Sequence, residues 1–236
     1  PMTVSVFDLF KLGVGPSSSH TMGPMTAAGL FVARLRDAGR LADVARVEIR
    51  LYASLALTGR GHATDRAVML GLMGFVPAEL DPDAGEAALV EARATQWLML
   101  GGETGVGFDE ARDIVWLGHE SLPQHPNGLS FSAFNAAGVT LDEHTYFSIG
   151  GGFVRAEAEM GRNVPPEDGP PIPHPFESGA DLLRRAADAG LTIAGVMGAN
   201  ELSRMDPDEM HAGLDRIFAA MEACIDRGTR QDGILP

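Results

Sequence analysis

The chain has 236 residues, with 18 Lys and Arg against 32 Asp and Glu, and a formal net charge of −14. So acidic a chain lacks the basic surface that non-specific binding to nucleic acid or an anionic membrane requires, and neither is expected as a partner. Hydrophobic residues make up 45% and charged residues 21%, enough apolar material for a buried core and too much for a disordered chain. The single cysteine, Cys224, excludes an internal disulfide framework and cannot form a thiolate cluster by itself. No basic segment followed by an apolar stretch opens the sequence, and no run of about 18 apolar residues occurs, so a cytoplasmic protein without a membrane span is expected.

From Pro24 to Ala38, Met25, Ala28, Phe31, Val32 and Leu35 recur at helical spacing, with Pro24 suited to a first turn and Gly39 to a C-terminal stop. Val47, Ile49 and Leu51 alternate with Glu48, Arg50 and Tyr52, which predicts a half-buried strand. The strand leads into Thr58-Gly59-Arg60-Gly61-His62, read as a glycine-loosened loop. After it, Thr64 or Asp65 is placed to cap a helix carrying Val68, Met69, Leu72 and Met73 that ends near Gly74. Residues 83–100 read as another helix. Ile114–Leu117, Leu129–Asn135, Val139–Asp142 and Thr145–Ile149 read as short strands, two of them joined by an Ala136-Ala137-Gly138 hairpin.

Gly150-Gly151-Gly152 interrupts regular structure, and Asn163 to Pro175 holds six prolines, so a boundary is expected there. Beyond it the pattern is helical. Ser178 is placed to cap a helix carrying Leu182, Leu183, Ala186 and Ala187, which stops at Gly190, and an apolar stretch follows from Leu191 to Leu202. Asp206-Pro207-Asp208-Glu209 is an N-cap, a first-turn proline and a capping-box acid, ahead of Met210, Leu214, Ile217, Phe218, Met221 and Cys224 at helical spacing until Gly228. On that apolar face Cys224 reads as a small buried hydrophobe.

Four segments bear on chemistry. Gly15-Pro16-Ser17-Ser18-Ser19-His20-Thr21 places hydroxyls and unpaired backbone N–H groups ahead of a helix, which suits a carboxylate or phosphate; it reads equally well as an ordinary capping loop. His62, flanked by Gly61 after a strand, is placed to act as a general base, although a polar loop before a helix cap accounts for the same residues. Leu122-Pro123-Gln124-His125-Pro126-Asn127-Gly128 is a turn by composition. Thr145 to Phe153 either brings backbone close to a ligand or supplies hinge conformations. No nucleotide-binding glycine loop is present in a strand-to-helix setting. His119, His144, His174 and His211 share no metal-ligand spacing and read as surface or loop residues, and no metal site is expected.

Taken together, these segments resemble the iron–sulfur-dependent L-serine dehydratases, or L-serine ammonia-lyases, in their N-terminal or beta region. The resemblance rests on Ser5-Val6-Phe7-Asp8 through Met25, Ser54 through Asp65, His125-Pro126-Asn127-Gly128, Thr145 through Phe153, Asn200-Glu201 and Ala223 through Gly228, in that order. It implies elimination of water from L-serine and hydrolysis of the resulting enamine to pyruvate and ammonia. It further implies a [4Fe–4S] cluster whose open iron acts as a Lewis acid on the substrate hydroxyl. His62 and His20 are then the candidates for the base, with His62 preferred. Ser17, Ser18, Ser19, Thr21 and Thr58 would bind substrate, chiefly its carboxylate, and His125 and Asn127 would complete the pocket wall.

The family's cluster cysteines lie in a C-terminal alpha region, and Cys224 matches none of them. No cluster is therefore expected on this chain, which reads as an N-terminal piece of a single-chain enzyme in preference to the beta subunit of a two-chain one. Activity would belong to the protein assembled with its alpha domain or subunit, and the family implies a homodimer. The same region is similar to the allosteric substrate-binding domain of some phosphoglycerate dehydrogenases, which keeps open an anion-binding regulatory module without catalysis. A hydrolase is disfavoured, because adjacent Ser19 and His20 do not make a nucleophile with an oriented base. The expected fold is α+β: a mixed or antiparallel sheet with packed helices over residues 1–160, a proline-rich linker over 161–177 and a helical segment over 178–236.

Overall fold

The computed structural model describes residues 4–161 and 170–233. Its elements in chain order are α1 (Val6–Leu9), α2 (Gly23–Asp37), β1 (Arg46–Tyr52), α3 (Ala53–Thr58), α4 (Thr64–Leu72), α5 (Pro82–Thr95), β2 (Trp97–Leu100) and β3 (Thr104–Gly107). There follow α6 (Glu110–Asp113), β4 (Ile114–Leu117), β5 (Gly128–Phe134), β6 (Thr140–Gly150), β7 (Phe153–Ala156), α7 (Gly179–Ala189), α8 (Ile193–Glu201) and α9 (Pro207–Arg230). The fold is α+β, as expected. The chain divides into two compact units, Gly13–Arg162 and a second made of Pro1–Leu12 with Asn163–Pro236.

The larger unit is built on a mixed five-stranded sheet in the order β4-β1-β5-β6-β7, with β1 and β4 parallel and the other pairs antiparallel. The alternation in β1 decides its faces: Val47, Ile49 and Leu51 are fully buried, while on the other face Arg46 and Arg50 both pair with Glu48. Helices α2 and α4 form the other layer of the core. Phe31 of α2 stacks on Phe131 of β5 at 5.3 Å, and Phe131 meets Tyr146 of β6 edge-on at 6.1 Å. Each such buried aromatic contributes about 1.5–3 kcal/mol from removal of apolar area. Gly71 lets α4 lie close on α2, because a Cβ there would stand 2.2 Å from the Met25 carbonyl oxygen.

Several local expectations are corrected by the structure. The 83–100 helix is α5, capped by Asp81 and started by Pro82, and it ends at Gln96, whose φ of +55° turns the chain into β2. A β2–β3 hairpin follows, its first strand lying within the stretch expected to be helical. Val139–Asp142 and Thr145–Ile149 are one long strand, β6, because its pairing with β5 continues through Glu143 and His144. Gly150, Gly151 and Gly152 all have positive φ, of 94°, 60° and 77°, and form the turn into β7, a strand with too little apolar alternation to stand out. His144 lies within β6, half-buried, and not in a loop.

In the second unit Ser178 and Asp206 cap α7 and α9 as expected, accepting from Asp181 and Glu209 N–H groups respectively. Helix α9 runs past Gly228 to Arg230. Cys224 is exposed and not buried, a further correction: its helix face is apolar but uncovered. The buried Glu201 carboxylate accepts from the Ser5 hydroxyl at 2.9 Å and from the Val6 N–H at 2.7 Å, tying the N-terminal segment to α8. Residues 162–169 of the proline-rich segment, including Pro165 and Pro166, lie outside the described residues.

Candidate functional site

The serine-rich segment is helical rather than a loop. Ser17 caps a single wide turn over Ser18–Met22 that runs directly into α2. Its hydroxyl accepts from the His20 N–H, and its own N–H donates to Thr21 Oγ1. The first N–H groups of this turn, at Ser18 and Ser19, have no intrahelical acceptor, as at any helix start. The Ser18 side chain is exposed. Gly23 sits where a Cβ would approach Ser148 Oγ to 2.0 Å, so this start of the helix lies directly against β6.

The Thr58–His62 segment is likewise not a loosened loop. Helix α3 ends at Thr58 and one tight turn covers Gly59–His62. Ala63, with φ +54°, redirects the chain into α4. Neither Thr64 nor Asp65 caps α4. Thr64 instead donates to the His20 carbonyl at 2.6 Å, and Asp65 lies 3.9 Å from Arg93.

These turns bring His20 and His62 together, with ring centroids 5.0 Å apart and planes at 41°. His62 Nδ1 is 2.8 Å from the Thr58 carbonyl oxygen. A carbonyl only accepts, so Nδ1 carries the hydrogen and Nε2 of the neutral ring keeps its lone pair. Both ring nitrogens of His20 are engaged by hydroxyls, Nδ1 with Ser19 Oγ at 2.9 Å and Nε2 with Ser54 Oγ at 3.0 Å. Burial, and then the neighbouring His62, hold the His20 imidazole below its usual pKa against the opposing Ser54 hydrogen bond, which keeps it neutral near pH 7.

The His125–Asn127 turn joins the same network. The Ser54 N–H donates to the Pro126 carbonyl at 3.2 Å. The Asn127 amide donates to the Ser148 carbonyl at 3.2 Å, and the Ser148 N–H returns a bond to the Asn127 carbonyl at 3.0 Å. Ser148 is fully buried, and its hydroxyl donates to the Ser19 carbonyl at 2.7 Å. His125 Nδ1 accepts from the Asn127 N–H at 3.1 Å, which leaves the His125 Nε2 position as the donor of the neutral ring.

The structure thus links Ser17, Ser19, His20, Thr21, Thr58, His62, His125 and Asn127 in one network and leaves Ser18 at its surface. Thr58 enters through its carbonyl, since its hydroxyl is turned back to the Ser54 carbonyl. Sequence reasoning missed Ser54, Thr64 and Ser148, which connect the segments. All three lie inside the motifs already noted, but an isolated hydroxyl residue carries no spacing signal of its own.

An iron–sulfur cluster is held chiefly by several cysteine thiolates. The only cysteine, Cys224, stands exposed on α9, and among the described residues no three His, Cys, Asp or Glu side chains are placed to hold a metal ion. The residues present do not fit such a cluster. Among the described residues, too, no helix is long and apolar enough to cross a membrane.

Comparison with known proteins agrees with the motifs. The chain is 42% identical over 235 residues to an L-serine dehydratase of Streptomyces coelicolor, covering 100% of this chain and 52% of that protein. It is 39% identical to L-serine dehydratase 1 of Escherichia coli and 35% identical to an L-serine dehydratase of Haemophilus influenzae, covering 99% of this chain and 51% of each of those proteins. The chain therefore spans about half the length of these relatives. With residues 5–159 matching the family described as serine dehydratase beta chain, the chain belongs to that family.

Proposed function

We propose that this chain is the beta-type part of an L-serine dehydratase and that it contributes substrate binding and proton transfer to a site completed by an alpha-type half. The observation that carries the reading is the His62 tautomer: a lone pair on Nε2, fixed by the Nδ1–H bond to Thr58, on a ring that stands beside His20 of the serine-rich turn.

In the reaction L-serine loses its Cα proton and its β-hydroxyl, giving 2-aminoacrylate and water, and hydrolysis of that product gives pyruvate and ammonia. His62 Nε2 takes the Cα proton. His20, neutral and bonded at both ring nitrogens, has no free lone pair for that task and forms the wall beside His62. The substrate carboxylate accepts from the Ser18 hydroxyl, from the N–H groups at the start of the Ser18–Met22 turn and from His125 Nε2–H. Ser17, Ser19, Thr21 and Asn127 hold these donors in place through bonds within the network.

The [4Fe–4S] cluster that the family resemblance implies belongs, in this reading, to the alpha-type half. A cytoplasmic location and a homodimer remain part of the same proposal.

The test is pyruvate formation and exchange of the Cα hydrogen with solvent, measured on the assembled enzyme prepared without oxygen. His62→Ala is expected to remove both. Wild-type exchange in that variant would assign the base elsewhere, and absence of either activity from the intact assembled enzyme would favour a binding module.

A further inference from the structure

The two units differ in how they are stabilised. The unit spanning Gly13–Arg162 buries a continuous core that includes Met25, Phe31, Leu35, Ile49, Leu51, Leu72, Phe131 and Phe147. In the helical unit, among the described residues, the buried hydrophobics are Ala186 and Val196. Its other buried side chains are polar: Ser5, Asn200 and Glu201. Meanwhile Leu183, Leu191, Ile193 and Leu202 on and around α7 and α8 are exposed.

Helix α9 carries an uncovered apolar face. Leu214, Phe218, Met221 and Ile225 are 40%, 61%, 46% and 65% exposed, at spacings of four, three and four residues. That spacing places them along one face as a seam about 16 Å long. Charged Asp208, Asp215, Glu222 and Asp226 occupy other positions on the helix. An apolar face of this kind is an interaction surface in a stable protein.

We infer that the Leu214–Phe218–Met221–Ile225 face of α9 is the docking surface for the alpha-type half of the dehydratase. The proposal rests on the functional reading above, in which such a half exists. Two observations select this occupant. Each relative described above contains, beyond the matched region, about as much chain again, so a second body of similar size accompanies this one. The exposed apolar residues are spread over three helices, whereas a second copy pairing α9 against α9 would cover one seam and leave Leu183, Leu191 and Ile193 in water.

Cys224 lies next to Ile225 and is the chain's single thiol, so it reports cover on this part of α9. In the 236-residue chain alone, Cys224 is expected to react with a maleimide under native conditions. In the assembled enzyme, peptide-level mass spectrometry is expected to find it unlabelled. Phe218→Glu and Ile225→Glu are each expected to leave the circular dichroism of the isolated chain unchanged, because both side chains are exposed. Each is expected to weaken association of the chain with a separately produced alpha-type half by about tenfold or more, as loss of a buried interface anchor does.

Equal labelling of Cys224 in the isolated and assembled proteins would overturn the proposal, as would wild-type association of both glutamate variants. A concentration-dependent dimer of the isolated chain that both variants abolish, and that persists unchanged in the assembled enzyme, would assign the face to a second copy. Association and labelling are read without pyruvate, so an inactive but normally assembled protein would count against the functional reading alone.

Discussion

His20 and His62 hold each other's backbone: the Thr21 hydroxyl, one residue after His20, donates to the His62 carbonyl at 2.7 Å, and the Thr64 hydroxyl, two after His62, donates to the His20 carbonyl at 2.6 Å. The two turns are thereby cross-tied, and the 5.0 Å ring spacing follows from the main chain rather than from a flexible side-chain contact. Thr21→Val and Thr64→Val each remove one of the two ties between the turns, and Thr21→Val also takes the acceptor from the Ser17 N–H. Each is expected to cost about 1–3 kcal/mol, measured by urea unfolding, and to lower pyruvate formation in the assembled enzyme more than the change in folded fraction explains.

The same pair governs a titration. Burial and the His62 charge hold His20 below its ordinary value of 6.5. A ring-proton NMR titration should therefore give a His20 midpoint under 6.5, and His62→Ala should raise it part of the way, since burial is the larger cause. Because the folded value is depressed, the contribution of neutral His20 to stability is present above about pH 6.5 and is lost as pH falls through the folded value. A midpoint at or above 6.5 would contradict this account.

Ser148 is the hub that the spacing of the motifs did not announce. Ser148→Ala removes the bond to the Ser19 carbonyl while the main-chain exchange with Asn127 remains. The expected cost is about 1–3 kcal/mol for the half-buried acceptor that loses its donor. Gly23→Ala should be worse, because its Cβ would collide with Ser148 Oγ at 2.0 Å and with Ser148 Cβ at 2.7 Å, in the tightly packed wall of the site. Thermal unfolding of the two variants orders them, and an alanine at position 23 with unchanged stability would refute the close approach.

Asp113 anchors the far end of the sheet. Its side chain is fully buried and accepts from Arg46 at 2.7 Å, from Arg112 at 2.7 Å and from the Asp109 N–H at 2.8 Å. Burial by itself would raise its pKa, but Arg112, the Asp109 N–H and Arg46 together hold it below the usual carboxylate range. The depressed value means that its stabilisation is present above the unfolded carboxylate value and is lost as pH falls through the folded one. Asp113→Ala takes the acceptor from the Asp109 N–H and one partner each from Arg46, which keeps Glu48, and Arg112, and is expected to cost about 1–3 kcal/mol, with a smaller loss of stability on acidification than in the parent chain.

Tyr146 offers an alkaline counterpart. Burial against the core, opposed by Arg34 and reinforced by Asp142 and Glu159, pushes its phenol up to about 12. Absorbance of the phenolate should show a step near pH 12 that Tyr146→Phe abolishes. Since the folded value is raised, the stability tied to the neutral phenol is present below about pH 10 and lost as pH rises toward 12.

Local patterns in the sequence determined a good deal. The alternation of Val47, Ile49 and Leu51, the spacing of Met25, Phe31 and Leu35, and the Asp206-Pro207 start of α9 each act over a few residues, where backbone geometry alone sets which side chains share a face. The ordered motifs also carried the family and singled out His20 and His62, because each motif is a contiguous stretch that can be read without its neighbours in space. Tertiary structure decided which partners those histidines have. Ser54 reaches His20 across 34 residues and Ser148 reaches Ser19 across 129, and such bonds select tautomers, free lone pairs and protonation states. It also joined two expected strands into β6 through pairing with β5, and left Cys224 on an uncovered face that its helical periodicity assigned to a core. Periodicity states that a face is apolar; only the neighbours present in space determine whether that face is buried, and by what.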